Sequence, residues 1–315
     1  MRNAARHVLH ITHHASRHLD KGCSEIMRRR ELLERLKIPL MLLPALLVLV
    51  VLFSGGLVVG LGQSLGYMPV IGLNEFTFQH YVDILTDRNF LQSLGVTFYI
   101  AFTSTVLSTI IAVLCALLLR EAFRGSQFST FMFQVPIPIP HLVVAFGIVA
   151  LVAQSGVMAR MLASVGLLSE PSQFPVMVFD RAGVAIQLVY LWKEVPFIGL
   201  VVLAVLKSVG PEYEELAQTL GANRWQRFRY VLLPLIMPAI LSTSIIVFAF
   251  VFASYEIPLL LGVRFPTTLP VWAFQLYQDP DLSLRPAAMA VSIILTVISI
   301  LLLVTYRRLA RYAMK

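Results

Sequence analysis

Six stretches of the chain are apolar over the roughly 20 residues that a helix needs to cross the hydrocarbon core of a bilayer. They run at about 39–62, 91–119, 131–154, 184–206, 231–253 and 287–306. The runs are continuous and do not alternate over ten residues, which predicts helices and excludes membrane strands. Five of them hold no charged residue in their cores, and the fourth holds the adjacent pair Lys193 and Glu194. No internal repeat or low-complexity linker divides the chain. The expected fold class is therefore all-α: a polytopic membrane protein with six transmembrane helices over 39–306. Short tails at 1–38 and 307–315 flank it, and a polar loop at 207–230 interrupts it.

Composition agrees. The chain is 58% hydrophobic and only 13% charged, with a mean hydropathy of +0.80. A soluble domain of 315 residues could not hide that much apolar surface, so lipid solvates part of it. Cys23 precedes the first span and Cys115 lies in the second. Two cysteines so placed offer neither a disulfide framework nor a metal spacing, and both read as ordinary thiols.

The net charge of +8 sits in short islands between spans, which fits membrane topology and argues against a nucleic-acid partner. With the N-terminus in the cytoplasm, nineteen of the 25 Lys and Arg residues fall on the cytoplasmic side. Five fall opposite, at Arg88, Arg160, Arg181, Arg264 and Arg285, and Lys193 lies within a span. Both termini and the polar loop are thus expected in the cytoplasm. The stretch MRRRELLERLKIPL from Met27 reads as an interfacial helix, with Arg side chains among lipid headgroups and Leu32, Leu33 and Leu36 against acyl chains. Residues 1–26 read as a disordered or weakly helical extension, and Met27 offers an alternative start. The first apolar run, about 24 residues without a small-residue cleavage motif, does not resemble a cleavable signal.

The polar loop continues into the fifth span as EYEELAQTLGANRWQRFRYVLLP, residues 212–234. Pro211 suits the first position of a helix, where its missing N–H has no partner to lose. Glu212, Glu214 and Glu215 follow in the first turn, where the helix dipole favours negative charge. Tyr213, Leu216, Ala217 and Leu220 share one apolar face. Gly221 stands where a C-terminal glycine with positive φ ends a helix. Asn223 is placed to cap a second helix carrying Trp225 and Phe228. Arg224, Arg227 and Arg229 would then face headgroups or a partner. Such a helix-turn-helix has too small a core to stand alone. By periodicity it either docks into another protein or lies on the membrane surface.

The residues themselves resemble the EAA-loop signature of permease subunits in binding-protein-dependent ABC importers. Glu215-Leu216-Ala217, three residues, Gly221, nine residues and Val231-x-Leu233-Pro234 keep the family spacing throughout. Leu216 replaces the middle Ala and Val231 replaces Ile. The resemblance covers all but the N-terminal tail and implies a type I ABC importer transmembrane domain (MetI-like). It implies that the loop is a coupling helix in a groove of a cytoplasmic ATPase, with Glu215, Ala217, Gly221, Arg224, Leu233 and Pro234 at or near that contact. The implied partners are a cytoplasmic ABC ATPase dimer, a second permease subunit of the same or a related chain, an extracytoplasmic solute-binding protein and membrane lipid. The implied location is the bacterial inner membrane. The segment LPVWAFQLYQDPDLSLRPAAMA is most similar to the branch handling polyamines, thiamine and ferric iron. The chain has no G-x-x-x-x-G-K-[ST] and no Gly-Lys dipeptide, so it lacks that phosphate cradle. The permease is expected to be non-catalytic and without a cofactor of its own, with ATP and Mg held by the separate ATPase. The alternatives are an ion-coupled secondary transporter, for which only Lys193 and Glu194 could serve as relays, and a non-transporting scaffold.

Five further residues are candidates for a translocation path. Lys193 and Glu194 should face the bundle interior or a wet cavity, either as a gate or as a paired structural charge. Pro196 nearby should kink the helix. Glu256, at the outer end of the fifth span, could meet a cationic solute or simply sit in water at the interface. The run VPIPIPH, with Pro136, Pro138 and Pro140 before His141, cannot be regular helix. Irregular backbone at membrane depth survives only inside protein or beside water, so it is either a broken start to the third span or a lead-in to a helix beginning at His141. His10, His14 and His18 have a spacing that could hold a metal, but a solvated tail fits better because no carboxylate or Cys accompanies them. Ser104, Thr105, Ser108 and Thr109 read as helix-packing contacts.

Overall fold

A computed structural model describes residues 37, 39, 41–120, 126–210 and 212–313. The readings made for residues 1–36, including the interfacial helix and the His10, His14 and His18 spacing, lie outside the described residues, as do Arg124 and Pro211. No β-strand occurs among the described residues, and six helices are long and apolar enough to cross a membrane.

The chain forms two compact units, Met1–Gly60 and Leu61–Lys315. In the first, the described part is most of α1, Met41–Ser64, a continuous apolar helix. The last turn of α1 belongs to the second unit, where the Tyr81 hydroxyl donates to Ser64 Oγ at 2.7 Å. The helices that follow are α2 (Gln79–Thr86), α3 (Arg88–Arg120), α4 (Ser126–Gln134), α5 (His141–Val152), α6 (Val157–Ser164), α7 (Val184–Ser208), α8 (Glu212–Thr219) and α9 (Arg224–Arg227). They are completed by α10 (Leu233–Ala253), α11 (Glu256–Leu261), α12 (Leu269–Gln278) and α13 (Arg285–Ala313).

The core of the second unit is centred on α7. Val189, Tyr190, Ile198, Val202 and Leu206 of α7 pack with Ile100, Ala101, Ala112 and Ala116 of α3 and with Ile236, Val247 and Phe252 of α10. The buried stripe of α3 is small: Ala101, Ser104, Ser108, Ala112 and Ala116 recur at three- and four-residue steps. Small side chains let helix backbones approach closely where lipid offers no hydrophobic drive to associate. Gly199 shows the same demand, since a Cβ there would lie 2.6 Å from Cζ of Phe133 in α4. A second cluster of Ile84, Phe90, Leu269, Ala273, Ala290 and Val291 joins α2, α3, α12 and α13.

The third apolar run, 131–154, does not fold as one helix. Helix α4 ends at Gln134, the segment Val135–Pro140 is not helical, and α5 starts at His141 with Pro140 at its N-cap. Both readings of VPIPIPH thus hold a part: the segment is broken, and a new helix begins at His141. The cause is local, because Pro138 and Pro140 lack the N–H groups that would bond the carbonyls of Gln134 and Pro136. Gln134 O instead accepts from Ile137 N–H at 3.0 Å. By contrast, α7 continues through Pro196 as one helix.

Candidate functional site

The loop between α7 and α10 closes its first helix as glycine chemistry requires. Gly221 has φ +85°, its N–H donates to Gln218 O at 2.9 Å, and Ala222 N–H donates to Ala217 O at 3.0 Å. A left-handed residue after the helix turns the last carbonyls onto these donors. The next helix starts with a reciprocal cap. Asn223 Oδ1 accepts from Gln226 N–H at 2.9 Å, and Gln226 Oε1 accepts from Asn223 N–H at 2.8 Å. This satisfies two helix-end donors at once.

Helix α9 does not stop before the membrane. It passes through a π-helical turn, Phe228–Leu232, into α10, with Leu233 N–H donating to Phe228 O. Pro234 cannot donate to Tyr230 O, and the wider turn just before it absorbs that lost bond. Arg224–Ala253 is thereby one helical rod. Across the loop, Arg227 Nη1 donates to Gln218 Oε1 at 3.3 Å, and Arg120 at the end of α3 pairs with Glu214 of α8.

Much of this loop is uncovered by the rest of the chain. Tyr213, Leu216, Leu220, Trp225 and Tyr230 are all more than half exposed. Glu215, Gly221, Arg224 and Pro234 are exposed too, whereas Ala217 and Leu233 are half-buried. The loop offers an apolar, aromatic face ringed by carboxylates and guanidinium groups.

A second constellation lies at membrane depth. Lys193 is the tenth residue of α7, about 14 Å along the helix axis from Val184, well inside a hydrocarbon core about 30 Å thick. It is 7% exposed. Its ammonium donates to the carbonyls of Pro136 at 2.8 Å, Ile137 at 2.9 Å and Ile139 at 2.7 Å. A lysine has three donors and no acceptor, so its capacity is used up. Glu194, equally buried, places Oε1 3.2 Å from His141 Nε2. The His141 ring packs against Phe250 with centroids 4.9 Å apart. The structure therefore joins Lys193, Glu194 and His141 at the break in the third span, while Pro138 lies in the same segment with an exposed ring.

Glu256 is not part of this cluster. It is exposed at the start of α11. Thr105 and Thr109 donate within α3 to Ala101 O and Thr105 O, both at 2.7 Å, and Thr109 Oγ1 also lies 3.3 Å from Ser244 Oγ of α10. A cavity of about 470 Å³ between α3, α10 and α13 is lined by Thr105, Thr109, Ser244, Phe248 and Tyr306. Another of about 590 Å³ is lined by Phe179, Leu259, Arg264 and Gln275. None of the path candidates lines either cavity.

Two relationships had no signature in the sequence: the Arg120–Glu214 pair, and the Phe133 ring against Gly199. The three-carbonyl seat of Lys193 had a faint one. Closely spaced prolines strip a helix of donors, and the one cation within a span is a natural substitute.

The model of a family described as binding-protein-dependent transport system inner membrane component matches residues 108–313. The chain is 27% identical over 236 residues to the sulfate transport system permease protein CysT of Salmonella typhimurium, covering 74% of this chain and 81% of that one. It is 28% identical over 200 residues to the putative ferric transport system permease protein FbpB 1 of Haemophilus influenzae, covering 63% of this chain and 29% of the other. Among solved structures, a bacterial ABC transporter involved in import of the acidic polysaccharide alginate has the same fold. The TM-score is 0.73 at 21% identity, over 87% of this chain and 95% of that one.

Proposed function

The chain belongs to the family of binding-protein-dependent transport system inner membrane components and is a permease subunit of an ABC importer; from that premise we propose that it carries a small solute into the cytoplasm by ATP-driven alternating access. The observation that carries the reading is the loop of α8 and α9, with its exposed apolar residues Tyr213, Leu216, Leu220 and Trp225. An uncovered face of this kind on a rigid helix end suits a protein groove. A cytoplasmic ATPase dimer is its partner in this reading, and that dimer holds the ATP and Mg. Because α9 runs without interruption into α10, a displacement of the loop is delivered directly to a membrane span.

In the same reading the second half of the permease is another copy or a related chain, an extracytoplasmic binding protein delivers the solute, and both termini face the cytoplasm. Lys and Arg favour that orientation by nineteen to five. The solute class follows from the binding protein. The relatives are named for sulfate and ferric transport and lend no weight to a polyamine.

The test is reconstitution. Vesicles containing the permease, its ATPase and the binding protein should accumulate solute only when ATP and Mg are supplied on the loop side. Accumulation driven by an ion gradient without the ATPase would refute the reading. A binding screen of sulfate, ferric iron, an acidic oligosaccharide and a polyamine against the binding protein would identify the solute class.

A further inference from the structure

We propose that Lys193 is a positioning residue: its ammonium supplies donors to three carbonyls that the break leaves without a backbone partner, and together with Glu194 it clamps the break before α5 to α7. In a continuous helix Pro136 O would accept from residue 140, which is Pro and has no N–H. Ile137 O and Ile139 O would accept from residues 141 and 143, but Val143 N–H donates to Pro140 O at 3.1 Å. Among the described residues no backbone N–H reaches these three carbonyls. Unpaired carbonyls at this depth are costly, since lipid supplies no donors.

Lys193 reaches all three at 2.7–2.9 Å. The next residue, Glu194, takes the His141 side chain at the far end of the break. Two consecutive residues of α7 therefore hold the break at its carbonyls and at the first residue beyond it. Gly199, further along α7, receives the Phe133 ring of α4, so the helix before the break also packs against α7. The break and α7 then move as one body. A solute could use the Lys193 charge only by displacing three hydrogen bonds, which assigns Lys193 to the scaffold of the path and not to its lining.

The consequence for transport rests on the importer reading, and the experiment separates the two. In a full-length protein with Cys23 and Cys115 replaced by Ser, Ile137→Cys supplies an exposed thiol in the break. The complex with its ATPase and binding protein is studied in vesicles, with Lys193, Lys193→Ala, Lys193→Met or Lys193→Arg. Lys193→Ala is expected to cut uptake by about tenfold or more and to change the labelling rate of the thiol introduced in the break. Ethylammonium, which carries three N–H donors, should reverse both effects, and tetramethylammonium, which has none, should reverse neither. If the Ala variant does not assemble, the other two decide: Met is close to Lys in length but has no donor, Arg is larger but carries donors, and the donor-bearing Arg should outperform Met. Wild-type uptake and labelling in the Met variant would overturn the proposal, as would equal rescue by both ammonium ions. Labelling that responds to ethylammonium while wild-type vesicles show no ATP-dependent uptake would uphold the clamp and overturn the importer reading.

Discussion

Arg120, the last residue of α3, forms an ion pair with Glu214 in the first turn of α8, across 94 positions of sequence. Both side chains are about one-fifth exposed, at 22% and 19%, so the pair is partly shielded from water. It ties the loop to the second span as well as to the fifth. Reversing either charge alone should leave a like-charge contact, while Arg120→Glu with Glu214→Arg restores attraction. Expected is a loss of several-fold in ATP-driven uptake for each single variant and substantial recovery in the double. A double-mutant cycle on uptake and thermal midpoint checks it, with a coupling of about 0.5–3 kcal/mol expected between residues in contact.

Gly221 is held at φ +85°, with open space where a Cβ would stand, so only backbone strain opposes a side chain there. A β-branched residue in that region costs about 1–3 kcal/mol. Gly221→Val should abolish transport while leaving membrane insertion intact. Gly221→Asn, which tolerates left-handed backbone, should retain more activity than Val. Uptake assays beside a membrane-insertion assay test both variants, and equal activity of Val and wild type would remove the turn from the coupling role.

Glu215 is exposed, and a surface change of this kind alters stability by about 0.5 kcal/mol or less. Glu215→Lys should therefore leave the thermal midpoint of the isolated permease nearly unchanged and weaken its association with the ATPase. Co-purification against midpoint in the same preparation separates the two effects. An unaltered co-purification would mean that Glu215 faces only water.

Gly199 leaves no room for a side chain beneath Phe133. Overpacking of this kind costs about 1–3 kcal/mol. Gly199→Ala should lower the thermal midpoint, and Phe133→Leu in the same chain should recover part of the loss by vacating the ring's position. Additive losses in the double variant would show that the two sites do not share this contact.

Much of the architecture could be read without coordinates, because the forces behind it act locally. A span must satisfy its own backbone in lipid, so each long apolar run had to become helix. The turn at Gly221 and the cap at Asn223 were legible for a similar reason, since both depend on hydrogen bonds within five residues of chain. Even the failure of helix at Pro136, Pro138 and Pro140 followed from missing donors.

What sequence could not supply was the partner across a gap. Lys193 stood out as a charge in a span, but its seat on carbonyls 54–57 positions earlier depends on how α7 packs beside the break. Sequence left Glu194 open between a gate and a paired charge, and packing put it on His141, 53 positions away, while leaving Glu256 outside the cluster. Hydropathy and capping fix where helices form. Only close packing of small residues such as Ala101, Ala112 and Gly199 decides which helices meet, and so which buried donor finds which orphaned acceptor.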